Sequence, residues 1–317
     1  MATRAMQRVF FANLVAMLLL ITVNQSFAQP ANNYEVTVTN GYRHDDFDWS
    51  IAGGGVNVLS ELTWRDLEIY QVNAAGKYLH EFPSRLTIYT RANLGYGWIL
   101  SGENQDSDYD GNDRTLEYSR SSNDGGGGNV WDASGGVGLK TDFGRGVFSL
   151  VPLVGFSYRE QNLRISDGFQ TIATAGRTPP IGPISGLDST YETRWYGPWA
   201  GLDLEILPSE RMRFHGTFEY HRIQYEGVGN WNLRTDFAHP KSFEHLADGY
   251  GIVSKAGADI ALNRNWFITA DFGYQYWTTD NGTDQTFLAN GTSAVQPFNG
   301  ANLESYSVMA GVTYRFR

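Results

Sequence analysis

The last thirteen residues, "SYSVMAGVTYRFR", limit what this chain can become more than any other stretch. Tyr306, Val308, Ala310, Val312, Tyr314 and Phe316 alternate with Ser307, Met309, Gly311, Thr313 and Arg315. A period of two marks a strand with one apolar face, and about eleven residues is the length a tilted strand needs to cross a bilayer. The apolar face starts and ends on aromatic rings, where an interfacial girdle would place them. An aromatic near the C-terminus is also what the assembly machinery of bacterial outer membranes reads, although Arg317 follows Phe316 here.

Comparable segments recur upstream, near 33–46, 59–79, 84–100, 129–143, 147–163, 191–206, 211–227, 249–262 and 266–278, and 304–316 brings the total to ten. Ten is even, as a single-chain bacterial barrel requires. Compact turns at 142–146, 207–211 and 262–265 alternate with long polar connections at 101–128, 164–190, 228–248 and 279–303. Short turns on one rim and long loops on the other are the asymmetry of a transmembrane β-barrel. The mean hydropathy of -0.36 does not argue against this, because strands that alternate between lipid and lumen average out. The expected fold is all-β, a ten-stranded antiparallel transmembrane barrel.

The first 28 residues read as a leader. Arg4 and Arg8 precede the short apolar run Val9–Val23, and Ser26-Phe27-Ala28 forms a small-x-small cleavage signal. The mature chain, 29–317, is then one barrel domain starting at Gln29. There is no cysteine, and the formal charge is -10, which argues against nucleic acid as a partner. Charges at Glu61, Arg65, Glu68, Lys77 and Arg91 are expected to pair inside a narrow, filled lumen, since at the lipid midplane each would cost ~2–4 kcal/mol. His215 and His221 share a face, with lumen hydrogen bonding as the expected role. Trp49, Trp64, Trp98, Trp195, Trp199, Trp266 and Trp277 read as girdle or wall residues, and Trp231 as a loop residue suited to a peptide groove.

The loop "DSDYDGNDRTLE" concentrates acid. Asp106, Asp108, Asp110 and Glu117, with Gly111 between them, match the calcium-loop spacing D-x-[DN]-x-[DN]-G-x5-E. Position 8 is Asp113 rather than an apolar residue, and the flanks are strands. A weak Ca2+ site, a solvated loop and a catalytic carboxylate pair are therefore all open readings. His44-Asp45-Asp46-Phe47-Asp48 is a second acidic cluster with a histidine, for which solvation is the expected role.

The strands also resemble those of the omptins, the ten-stranded surface proteases of Gram-negative outer membranes. "VLSELTWRDLEIYQVNAAGKYL" (58–79) is similar to their second strand, "GPWAGLDLEI" (197–206) and "GTFEY" (216–220) to their sixth and seventh, and "SVMAGVTYRF" to their last. The resemblance covers nearly the whole mature chain and is poor in the loops. It implies an outer-membrane location, lipid and lipopolysaccharide against the wall, and an endopeptidase site at the outer rim with a peptide or protein at its loops. Asp106 and Asp108 match the Asp-x-Asp half of that site. The Asp-x-His half falls on Asn230-Trp231-Asn232, so Asp236 and His239 are the nearest replacements, with His239 as base. If they do not serve, a non-catalytic barrel binding a partner or Ca2+ is the alternative. The omptin lipopolysaccharide contact implies Tyr158 and Glu160, with Arg159 or Arg164 supplying the cation.

Overall fold

The computed structural model describes residues 32–83 and 86–316; the expected leader, the expected mature start at Gln29 and Arg317 lie outside the described residues. Thirteen strands run in chain order. They are β1 (Asn32–Gly53), β2 (Val56–Glu81), β3 (Thr87–Tyr109), β4 (Glu117–Asp124), β5 (Gly128–Phe143), β6 (Phe148–Ile172) and β7 (Gly182–Pro183), followed by β8 (Asp188–Ser209), β9 (Met212–Asn230), β10 (Phe243–Ala261), β11 (Trp266–Thr279), β12 (Gly282–Phe287) and β13 (Ser293–Phe316). Ten of them form the barrel wall, while β4, β7 and β12 are additions at one rim. Every pairing is antiparallel, and β13 closes the ring on β1 from Tyr34↔Phe316 to Trp49↔Ala301. Closure follows from the solvent, because hydrocarbon offers no partner to a free backbone N–H or C=O.

A band of outward apolar side chains circles the wall. Leu94, Leu100, Val154, Phe156, Phe272 and Val308 are all more than half exposed, which in water would be a large unexplained patch. Tyrosines border it, with Tyr220 against Tyr250 at 6.0 Å and Tyr274 against Tyr306 at 5.1 Å on one side, and Tyr34 against Tyr78 at 4.7 Å on the other. This is the lipid-facing belt expected from 304–316.

The strands are much longer than the belt. β2 has 26 residues and β6 has 25, where ~9–11 suffice to cross. The surplus stands above the membrane on the side of the long connections. The link from β1 to β2 on that rim is nonetheless only Gly54-Gly55, both at positive φ (59° and 88°), which a side chain would strain.

The lumen is filled in two tiers. In the belt, charged groups pair: Lys77 with Glu205 at 3.1 Å, Arg213 with Asp259 at 2.7 Å, and Arg91 with Asp203 at 2.9 Å. His215 and His221 take part, through Asp271 at 2.7 Å and Ser157 at 2.9 Å. Nearer the rim the core is apolar and aromatic, with Phe47, Trp64 and Tyr191 in ring contact at 5.6–6.0 Å.

Two expectations change. Trp49, Trp64, Trp195, Trp199 and Trp277 are buried inside rather than set in a girdle, while Trp98 faces out and Trp266 packs on Tyr314. A barrel that rises out of the membrane needs an apolar core of its own, and Trp49, Trp64, Trp195 and Trp277 help supply it, while Trp199 packs with Tyr89, Val151 and Leu153 in a second cluster. Lys77 and Arg91 face the lumen, but Glu61, Arg65 and Glu68 lie on the other side of β2 from inward Leu62, Trp64 and Ile69. They stand at or above the rim of the belt, where water solvates outward charge, and a bulge between Arg65 and Glu68 resets the alternation.

Candidate functional site

At the rim the barrel opens into a cleft of about 830 Å³. β2, β3 and β4 form one wall; the β9–β10 loop, β10 and β12 form the other. Asp106 and Asp108 are two residues apart on β3 and so point the same way, into the cleft. Opposite them in register are Leu62 and Ser60 on β2 and Ser121 and Ser119 on β4. Burial raises both carboxyl pKa values, and the charge of Asp108 raises Asp106 further; hydroxyls of Ser60 and Ser119, and the more distant Arg234, work against the shift in Asp108.

The remaining members of the calcium spacing lead elsewhere. Asp110 is exposed and forked by Arg177 at 2.6 and 3.0 Å. Glu117 is held by Arg120 at 2.7 and 2.5 Å. Asp113 receives the Asn57 amide at 2.8 Å. Calcium would have to displace two guanidinium groups, and the four carboxylates do not form a cage as they stand. Among the described residues, the group of three or more potential ligands whose donor atoms all lie within 4.8 Å is His44, Asp46 and Asp66, on the outside of the wall.

The candidates on the β9–β10 loop are separated. Asp236 lines the cleft, but its carboxylate is gripped by Arg234. His239 is not among the cleft-lining side chains. Its Nδ1 lies 2.8 Å from Asn230 Oδ1 and its Nε2 lies 3.2 Å from the Arg234 carbonyl oxygen. Asn232 ties the loop to β8, accepting from the Asp188 amide at 3.0 Å and the Ser189 hydroxyl at 3.0 Å. Trp231 lines the cleft, edge-on to Phe243 at 4.7 Å.

Motif reasoning does not single out the cleft residues Arg177, Arg234, His245 and Asp284. His245 shares the parity of inward Phe243 and Val253 on β10, which is the one signal the sequence offers for it. It is fully buried, with Nδ1 2.8 Å from the Tyr191 hydroxyl and Nε2 3.4 Å from Asp284 Oδ1. Burial lowers its pKa and Asp284 pulls it partly back, so the ring is neutral near pH 7.

On the outer wall, Tyr158 donates to Glu160, and the cation beside them is Arg194, 3.8 Å from Glu160 and 3.2 Å from Glu226. Arg159 points into the lumen, fully buried beneath Trp277, and cannot meet a lipid phosphate. Arg164 is paired with Asp188 at 2.8 Å.

A family model described as Pom, Protochlamydia outer membrane protein, matches residues 37–316. Among solved structures, the outer membrane protease OmpT of Escherichia coli superposes with a TM-score of 0.69 and 14% identity, over 92% of this chain and 100% of that one. At that identity the likeness is one of fold. The translocator domain of the autotransporter NalP from Neisseria meningitidis (TM-score 0.35, 13% identity, 98% of each chain) is also matched. So is OprG from Pseudomonas aeruginosa (TM-score 0.34, 11% identity, 90% of this chain and 97% of that one). No curated protein sequence matches the chain.

Proposed function

The chain belongs to the Protochlamydia outer membrane protein family, and from that premise we propose that its rim cleft binds a cationic polypeptide segment at the cell surface without cutting it. The barrel sits in the outer membrane of a Gram-negative bacterium, its belt against lipid and lipopolysaccharide.

The observation that carries the reading is an imbalance of charge. The two cleft arginines are engaged, Arg177 by Asp110 and Arg234 by Asp236. Asp106, Asp108 and Asp284 have no lysine or arginine within ion-pair distance among the described residues, and His245 beside Asp284 is neutral. Three uncompensated carboxylates stand among apolar walls that include Trp49, Trp231 and Phe243. Such a surface attracts a chain with basic side chains, whose aliphatic stems lie along the rings while the charges reach the carboxylates. Hydrolysis needs a base opposite Asp106 and Asp108. Arg234 cannot accept a proton, His239 is turned away, and the ring nitrogens of buried His245 face Tyr191 and Asp284.

A second reading is omptin-type endopeptidase activity. What favours it is the Asp106–Asp108 pair itself, since burial raises both carboxyl pKa values towards the range in which a carboxylate can accept a proton from water. Both readings meet one experiment. Refolded protein with lipopolysaccharide is titrated into a fluorescein-labelled Gly-Arg repeat peptide, anisotropy reports binding, and mass spectrometry of the same wells reports cleavage. Binding weakened about tenfold or more in Asp106→Asn and Asp108→Asn, with intact peptide, supports the binding barrel. Cleavage that disappears in Asp108→Ala replaces it with the protease. No binding in protein of normal heat-modifiable gel mobility ends the first reading.

A further inference from the structure

Trp49, His245 and Asp284 line the cleft together. There the walls carry buried polar atoms that are poorly partnered: the Trp49 indole N–H has none, and His245 Nε2 and Asp284 Oδ1 have only each other. The three residues are 3%, 0% and 2% exposed. They are also neighbours. The Trp49 and His245 rings are 4.6 Å apart, and His245 Nε2 faces Asp284 Oδ1 at 3.4 Å. The large majority of buried side-chain polar atoms in folded proteins are paired, so a poorly partnered carboxylate that lines an open cleft can take a donor from a ligand.

These atoms define the ligand. A buried carboxylate oxygen calls for a donor, and a charged donor is favoured because Asp284 has no other cation. Trp49 stands 5.8 Å from Phe243, and Phe243 4.7 Å from Trp231, so the approach to Asp284 is lined with aromatic faces that attract a desolvating cation. The Trp49 N–H calls for an acceptor, which a peptide carbonyl provides. A basic residue in a peptide has both groups.

Resting on the binding reading above, we propose that Asp284 anchors one guanidinium or ammonium side chain of the bound peptide, and that a protonated His245 competes with it for the same carboxylate. His245 is well placed to compete, its Nε2 already 3.4 Å from Asp284 Oδ1. The groups packed on it are Tyr191, which bonds Tyr225 at 2.7 Å, Asp284 from β12, Trp49 from β1, Phe243 from its own strand and Phe298 from β13. Asp284 is the one acid among them. A proton arriving on the ring creates a cation beside Asp284, and the ligand's cation loses its place. Burial holds the ring neutral at pH 7, so the gate closes as pH falls below the ordinary imidazole range.

The test uses refolded full-length mature protein in micelles and two probes, the peptide acetyl-Gly-Gly-Arg-Gly-Gly-amide and the same peptide with citrulline, which keeps the shape and loses the charge. At pH 7.5 wild type should prefer the arginine peptide at least tenfold. Asp284→Asn and Asp284→Ser should each bring that preference close to unity. Between pH 7.5 and 4.5 wild type should lose several-fold more affinity than His245→Gln, a comparison in which Asp106 and Asp108 titrate equally on both sides. Unchanged preference in two folded Asp284 variants overturns the anchor, and identical pH profiles overturn the gate, while the binding reading stands in either case. If wild type binds no cationic peptide, including the longer Gly-Arg repeat, both readings fall together.

Discussion

Arg234 holds Asp236 through both arms of its guanidinium, with contacts of 2.9 and 2.8 Å, so the loop that could have brought an acid and a base to the cleft brings an ion pair instead. Asp236 is drawn below its ordinary pKa by that hydrogen bonding. Arg234 also reaches Asp106 and Asp108 electrostatically and so competes with any cationic ligand. Arg234→Gln is therefore expected to tighten binding of the Gly-Arg repeat by about three- to tenfold at low salt, and by less at high salt. Anisotropy titrations at two ionic strengths measure it; weaker binding in this variant would mean that Arg234 itself contacts the ligand.

Asp106 and Asp108 both titrate above the ordinary carboxyl value of 3.8. The folded chain thus holds more protons than the unfolded chain between that value and the raised ones. Stability is expected to rise as pH falls through this window, and at neutral pH the charged pair is a standing cost. Asp106→Asn removes it. Urea midpoints in micelles should show the variant more stable by ~1–2 kcal/mol at pH 7.5, with the difference shrinking towards pH 4. A variant less stable at pH 7.5 would show that the carboxylate is paired.

The wall was legible because a bilayer imposes a simple code. Where Tyr306, Val308 and Ala310 meet lipid, every second residue must be apolar, and strand positions follow from that. Above the belt the code lapses. Outward Glu61, Arg65 and Glu68 meet water while inward Leu62, Trp64 and Leu67 form a core, so polarity inverts along a single strand of 26 residues. The loop reading 101–128 therefore hid the rim end of β3 and all of β4, and 279–303 hid β12. Asp106 and Asp108 were found from their spacing, and both reach the cleft. Asp284 and Arg234 were not, because what makes them part of the site is contact with β10 and β3, far away in sequence.

The acidic loop gives a calorimetric prediction. Asp110 and Glu117 are each committed to an arginine, and the site would have to work at ~10⁻⁴–10⁻³ M, the range of weak extracellular modules. Titration with calcium to a few millimolar is expected to give no saturable heat in wild type. A saturable isotherm that Glu117→Gln abolishes would show that calcium displaces Arg177 and Arg120, and the loop would then be a metal site.

Deeper in the lumen, Asp45 is fully buried and receives Arg43 at 2.7 and 2.6 Å and Gln161 at 2.8 Å, with Arg159 at 3.5 Å. Two arginines from β1 and β6 thus share one carboxylate, and Asp132 supplies a second at 2.7 Å from Arg43. Asp45→Asn leaves buried guanidinium groups short of countercharge. Breaking a buried pair from one side costs ~3–5 kcal/mol, so the urea midpoint, followed by emission of the tryptophans inside the barrel, should fall sharply. Asp142→Asn, on an exposed carboxylate paired with Lys140 at 3.6 Å, should change it by less than ~1 kcal/mol. The same network blocks the barrel together with the aromatic tier above it. Planar-bilayer recordings of wild type should show no conductance steps, whereas Asp45→Asn should admit brief openings as the arginines lose their fixed positions. Steady conductance in wild type would mean that the lumen side chains do not form the plug described.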